Sequence, residues 1–223
     1  MCFSATASFA SAAILGVAGI ASIKKTQSTN QLAFAAVPLL FAVQQLAEGF
    51  VWLSFSGIDQ PAWQNSAIKT FLVFALIIWP IWVPLSALLI EKNGKRKVIQ
   101  WLSLITGFVF ACFTSYYMLN YNTGARIQNY HVYYIVDFPN RGSTLADTLY
   151  LIPTVVSLLV SSNKGLPVLG VLIFISFLIT KFFYGDFVIS MWCFFAAIAS
   201  GLIYLLASNR IKSFNSDIVP ANN

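Results

Sequence analysis

Gln44, Gln45 and Glu48 stand within five residues of one another in a run that is otherwise apolar, with Trp52 one helical turn beyond Glu48. On a helix these four positions share much of one face. Desolvation disfavours a charged carboxyl there unless a donor or cation is close. Glu48 is therefore suited to carrying a proton, meeting a cationic ligand or binding a metal. The plainer role is packing, a Glu hydrogen-bonded across to a neighbouring helix.

A second polar stripe runs through Asp147, Tyr150, Thr154, Ser157 and Ser161, at spacings of 3, 4, 3 and 4. That periodicity makes one continuous seam on a helix. Thr144 and Asp147 form a capping-box pattern, which favours Asp147 as a partner of the first helical amides. Thr154 and Ser157 either line a cavity or bond to the carbonyls of their own helix.

Cysteine and histidine chemistry is thin. Cys193, close to Ser190 and Trp192, is a conceivable metal ligand alongside Glu48, although a buried inert thiol is the commoner case. Cys2 becomes the N-terminal residue on removal of Met1, a conceivable nucleophile with no recognisable base. His131 is the only histidine, and the sequence holds no Cys-x-x-Cys pair. Neither a His-His-acid zinc triad nor a Ser-His-Asp set can be assembled from one His, so no cofactor is assigned.

The elements that must position these residues follow from composition. Of 223 residues 58% are hydrophobic and 9% charged, with a mean hydropathy of +0.77, against about 25% charged in soluble domains. That excludes a water-soluble globule and implies a multi-pass membrane protein whose first partner is the lipid bilayer. The net charge of +6 comes from basic residues scattered beside apolar segments. It orients the chain in a membrane and does not form a nucleic-acid-binding patch.

Seven segments reach the roughly 20 apolar residues a spanning helix needs: 5–23, 31–56, 67–90, 98–119, 144–162, 166–183 and 187–207. The first has no Lys or Arg before Lys24 and so lacks the basic start of a secretory signal; it is taken as a retained span. Nine of the thirteen basic residues then fall on one side, which the positive-inside rule makes cytoplasmic. The expected fold class is an all-α membrane protein of seven transmembrane helices, N-terminus outside and C-terminus cytoplasmic. One domain covers 1–208, with an external loop at 120–143 and a short tail at 209–223.

Three further features bear on the interior. Trp79-Pro80-Ile81-Trp82-Val83-Pro84 lies mid-segment, and each proline removes an amide donor, so the helix should kink or open and leave the carbonyls of Leu76 and Pro80 seeking partners. Such interruptions suit a cavity between helices 2, 3 and 5. Small residues, Ser8, Ala12 and Gly16 in the first span and Ala197, Ser200 and Gly201 in the last, permit close packing. In the external loop Tyr130, Val132, Tyr134, Val136 and Phe138 alternate at period two, a half-buried strand pattern. It is taken first as an aromatic segment at the lipid interface, and otherwise as a lid over the bundle.

Met1-Cys2-Phe3-Ser4-Ala5-Thr6-Ala7-Ser8-Phe9, the run from Pro38 to Gly49 and Ser190-Met191-Trp192-Cys193-Phe194-Phe195 together resemble a family of uncharacterised bacterial multi-pass membrane proteins. The resemblance covers most of the chain and implies membrane placement, in bacteria the inner membrane, but no reaction. By topology the chain is also similar to the alkaline ceramidase-like seven-helix hydrolases. There a helix 7 His-x-x-x-His pattern would fall on Ile189 and Cys193, and Glu48 would replace a helix 2 histidine. Seven-helix sugar transporters and microbial rhodopsins share the topology, but the chain has neither their Pro-Gln pair nor a lysine in its seventh segment.

The function expected is binding or transport of a small ligand through an intramembrane polar cavity, with Gln44, Gln45, Glu48, Trp52, Thr154 and Ser157 in contact with it. The rivals are a metal-dependent membrane hydrolase of lipid amides or esters using Glu48 and Cys193, and a structural membrane subunit. Enzyme activity and oligomeric state are left open.

Overall fold

The computed structural model describes residues 4–200 apart from 27, 58–60, 137–143, 164, 196 and 198. Cys2, Phe138, Gly201 and the 209–223 tail lie outside the described residues.

Five helices are long and apolar enough to cross a membrane: Ala5–Lys24, Thr29–Leu53, Gln64–Ile90, Gly94–Asn120 and Gly165–Phe183. The apolar helix Thr144–Leu159 is shorter, and residues 188–195 are helical. We label the elements α1 (Ala5–Lys24), α2 (Thr29–Ala35), α3 (Val37–Leu53), α4 (Gln64–Val73), α5 (Trp79–Ile90), α6 (Gly94–Asn120), β1 (Thr123–Gln128), β2 (His131–Val136), α7 (Thr144–Leu151), α8 (Ser157–Leu159) and α9 (Gly165–Phe183). Local signals set their ends. Ser4 accepts the Ala7 amide at the start of α1, and Asn93 accepts those of Lys95 and Arg96 at the start of α6.

Helices α1 and α6 turn large apolar side chains outward and bury polar residues among the apolar ones of the interior. The α6 helix buries Gln100, Ser103, Gly107 and Thr114 and exposes Trp101, Leu102, Ile105, Phe108 and Val109. Likewise α1 buries Ser8, Ser11 and Ser22 and exposes Ile14, Val17 and Ile20. In water this arrangement is upside down; in lipid, where hydrocarbon covers large apolar side chains at no penalty, it is the stable one. The structure thus agrees with the composition in describing a membrane protein.

Small residues bring backbones together as expected. A Cβ on Gly19 would meet the Leu39 backbone nitrogen at 2.6 Å, one on Gly49 would meet the Phe9 ring at 2.6 Å, and Gly16 faces Ala42. These pairs set α1 antiparallel along α3, with the Ser8–Ala12 turn near the level of Gln45 and Gly49.

Two of the proline-bearing helices change register. Residues Phe74–Ile78, between α4 and α5, form a π turn in which the Trp79 amide donates to Phe74 O. The Ala75 carbonyl, freed by that shift, accepts Tyr150 OH at 2.5 Å. Leu76 O, freed by Pro80, accepts Thr114 Oγ1 at 3.1 Å. Pro80 O, freed by Pro84, is met by the bare backbone of Gly107, where a Cβ would fall 1.8 Å from it. A second π turn, Ile152–Val156, surrounds Pro153. The expected kink is thus a register shift whose carbonyls are taken up by neighbouring helices.

The loop expected at 120–143 contains an antiparallel hairpin, pairing Thr123 with Val136 through Gln128 with His131. Its two-residue turn, Asn129 and Tyr130, has φ of 50° and 61°, the left-handed pair that matches strand twist. Val132, Tyr134 and Val136 are buried against Val51, Phe71, Leu72 and Leu76. Tyr134 stacks on Phe71 with centroids 4.4 Å apart. The alternating face therefore rests on the helix bundle. Tyr130, at the turn, is exposed.

Candidate functional site

The α3 helix carries the densest polar cluster. Glu48 lies five residues before its end at Leu53. Gln44, Gln45 and Glu48 are all 0% exposed. Trp79 Nε1 donates to Gln44 Oε1 at 2.7 Å, and Ser190 Oγ donates to Glu48 Oε1 at 2.7 Å. The Trp79 ring is stacked on Phe41, 3.9 Å between centroids, which fixes its indole against Gln44. Cys193 faces both Gln44 and Glu48. The three segments singled out in the sequence, at α1, α3 and residues 190–195, thus meet in space.

Satisfaction is uneven within this cluster. Among the described residues neither amide atom of Gln45 has a hydrogen-bond partner, nor does Trp52 Nε1. Each such group, sealed from water, costs about 1–3 kcal/mol. Folds retain orphaned polar atoms where a ligand, ion or water holds them.

The stripe on the fifth apolar segment divides. Thr154 Oγ1 donates to Tyr150 O at 2.7 Å and Ser157 Oγ to Pro153 O at 2.5 Å, so both hydroxyls serve their own helix. Thr154 also lines a cavity of about 50 Å³ with Phe41, Trp79, Trp192 and Cys193, between the helices expected to enclose one. That volume suits a water or two. Ser157 instead offers its carbonyl to Gln100 Nε2 at 2.6 Å.

Asp147 lies in the first turn of its helix, as the capping pattern implies, and has a further partner. The helix begins at Thr144, and the Asp147 carboxylate is ion-paired with Lys181 of α9. The pair stands at a cavity of about 280 Å³ walled by Tyr150, Phe177 and Trp192, with Cys193 at its inner side. Sequence reasoning missed Lys181; the available signal was a lone cation ending an apolar run.

Glu91, just past α5, was also missed. It is 2% exposed and accepts the amides of Lys92 (3.0 Å), Asn93 (2.9 Å) and Ser162 (2.7 Å) and the hydroxyls of Ser161 (3.1 Å) and Ser162. Burial alone would raise its pKa, but the Ser162, Asn93 and Ser161 donors outweigh it and hold the carboxyl at about 2, below the ordinary 4.5. It clamps the end of α5 to the turn after α8. On the hairpin, burial lowers the pKa of His131, whose ring packs 5.0 Å from Phe187.

Among the described residues no three His, Cys, Asp or Glu side chains converge as a metal site would require. Neither the curated proteins nor the solved structures yield a match to the chain. One family model does match, along residues 1–217, nearly the full length and including all three segments that meet around Glu48. The chain therefore belongs to the family of unknown function DUF6629.

Proposed function

We propose that this protein binds a small polar ligand within the bilayer at Gln44, Gln45, Glu48 and Trp52, and passes it through the membrane or responds to it. The observation that carries this is Gln45, sealed from water with both amide atoms unpartnered beside the Glu48 carboxyl. A hydrogen-bonding ligand at this face takes up the amide of Gln45 and the indole N–H of Trp52 together. The prolines at 80 and 84 and the hairpin give the site its means of opening.

The same proposal includes the topology: seven spans in a bacterial inner membrane, N-terminus outside. It is supported by the nine basic residues on one side and by the groove at that end, which Ser28, Gln31, Lys92 and Lys97 line together. Reporters fused to the two termini should localise on opposite sides. The Ser190–Glu48 bond, which draws the segment carrying Cys193 toward Glu48, favours one second reading, a metal-dependent hydrolase, which elemental analysis of chelator-free protein decides.

The ligand is sought by native mass spectrometry of the full chain purified in mild detergent. A small-molecule adduct present in wild type and in Thr70→Val, but lost in Gln45→Met, is expected. A wild-type protein without an adduct, or one that Gln45→Met retains, overturns the assignment.

A further inference from the structure

The cavity beside Asp147 and Lys181 has a chemistry of its own. Its aromatic walls are apolar toward the space because their polar atoms are spent elsewhere: Tyr150 OH on Ala75 O at 2.5 Å and Trp192 Nε1 on Ile173 O at 3.3 Å. Tyr150 and Phe177 flank Trp192, with centroids 5.1 and 5.0 Å away. Cys193 adds a buried thiol at the inner end. Among the described residues charge enters at the Asp147–Lys181 pair, where an anion and a cation sit side by side with side chains 23% and 43% exposed. The Lys181 ammonium also lies 5.8 Å from the Phe177 ring.

We infer that this cavity of about 280 Å³ is a binding site for a zwitterion with an apolar side chain, of the hydrophobic α-amino-acid class. The apolar group fills the aromatic space, the ligand ammonium meets Asp147 and its carboxylate meets Lys181. A partly exposed ion pair opens at little cost, and the ligand restores both charge contacts while burying apolar surface. A purely cationic or anionic ligand satisfies one partner and strands the other. The inference stands on the cavity and its ion pair, independently of the Gln45 site.

The test is equilibrium binding to the full chain in detergent, with L-phenylalanine as probe. Phenethylamine and 3-phenylpropanoate, each lacking one charge, serve as competitors. L-Phenylalanine is expected to bind at least tenfold more tightly than either. Asp147→Asn and Lys181→Met should each reduce that preference to under twofold, while Gln45→Met leaves it intact. If the single variants do not fold, the double variant Asp147→Asn with Lys181→Met removes both charges without stranding either and should lose the preference as well. No L-phenylalanine binding to folded protein, equal binding of a one-charge analogue, or a preference that survives these substitutions overturns the inference.

Discussion

Two glutamates are buried in this molecule, and their surroundings differ. Glu91 is ringed by five donors from two segments, and its pKa is held at about 2 by them. Glu48 also has a donor in Ser190, but the side chains beside it carry amide and indole atoms with none. A saturated carboxylate is an architectural joint: everything it can accept is already in place. A carboxyl set among orphaned donors marks an unfinished site. The lesson is that burial and charge do not separate structure from function here; the completeness of the neighbouring hydrogen bonds does.

Substitutions sharpen that contrast, or break it. The largest effect is expected from Glu91→Gln, which removes the charge that five donors are arranged to receive and should lower stability by about 3 kcal/mol at pH 7. Because the folded-state pKa is depressed, the stabilisation is present above the unfolded value of 4.5 and is lost as pH falls through about 2. Thermal unfolding of wild type should weaken across that window, and the variant should lack this component. Ser162→Ala takes away one hydroxyl donor and leaves the backbone amide, so a loss of about 1–2 kcal/mol is expected in the same assay.

At the other glutamate the sign reverses. Gln45→Met, similar in volume but without orphaned atoms, should raise ligand-free stability by about 1 kcal/mol. Trp52→Phe removes an unpartnered N–H and should add about 0.5 kcal/mol. If both variants destabilise the ligand-free protein, Gln45 and Trp52 are structural groups like Glu91, and the contrast between the two regions collapses.

Features carried by local pattern were legible in the sequence. The apolar runs located the helices, the period-two alternation located β2, and Pro80 pointed to a freed carbonyl at Leu76. Gly16 faces Ala42 at an ordinary distance, while the tight approaches fall at Gly19 and Gly49. What the sequence could not reveal were partners supplied from far along the chain. Thr114 is 38 residues from Leu76, Tyr150 is 75 from Ala75, and Ser161 is 70 from Glu91. The capping pattern at Thr144 located the helix start and put Asp147 in its first turn, but held no sign of the cation on another helix that the carboxylate also serves. For the candidate site, the meeting of Glu48 with Ser190 and Cys193 followed the segments picked out beforehand. The orphaned state of Gln45 appears only when its surroundings are known.

The π turn at Phe74–Ile78 also bears on biogenesis. A span with the Ala75 and Leu76 carbonyls bare, besides that of Pro80, is poorly suited to rest alone in hydrocarbon. Its remedies, Thr114 and Tyr150, lie in segments that leave the ribosome later. During synthesis the third apolar segment must therefore wait, shielded by an insertase or by water at the translocation channel, until the fourth and fifth arrive to cover it. Assembly of this protein in the membrane is ordered by hydrogen-bond debts that only later helices can settle.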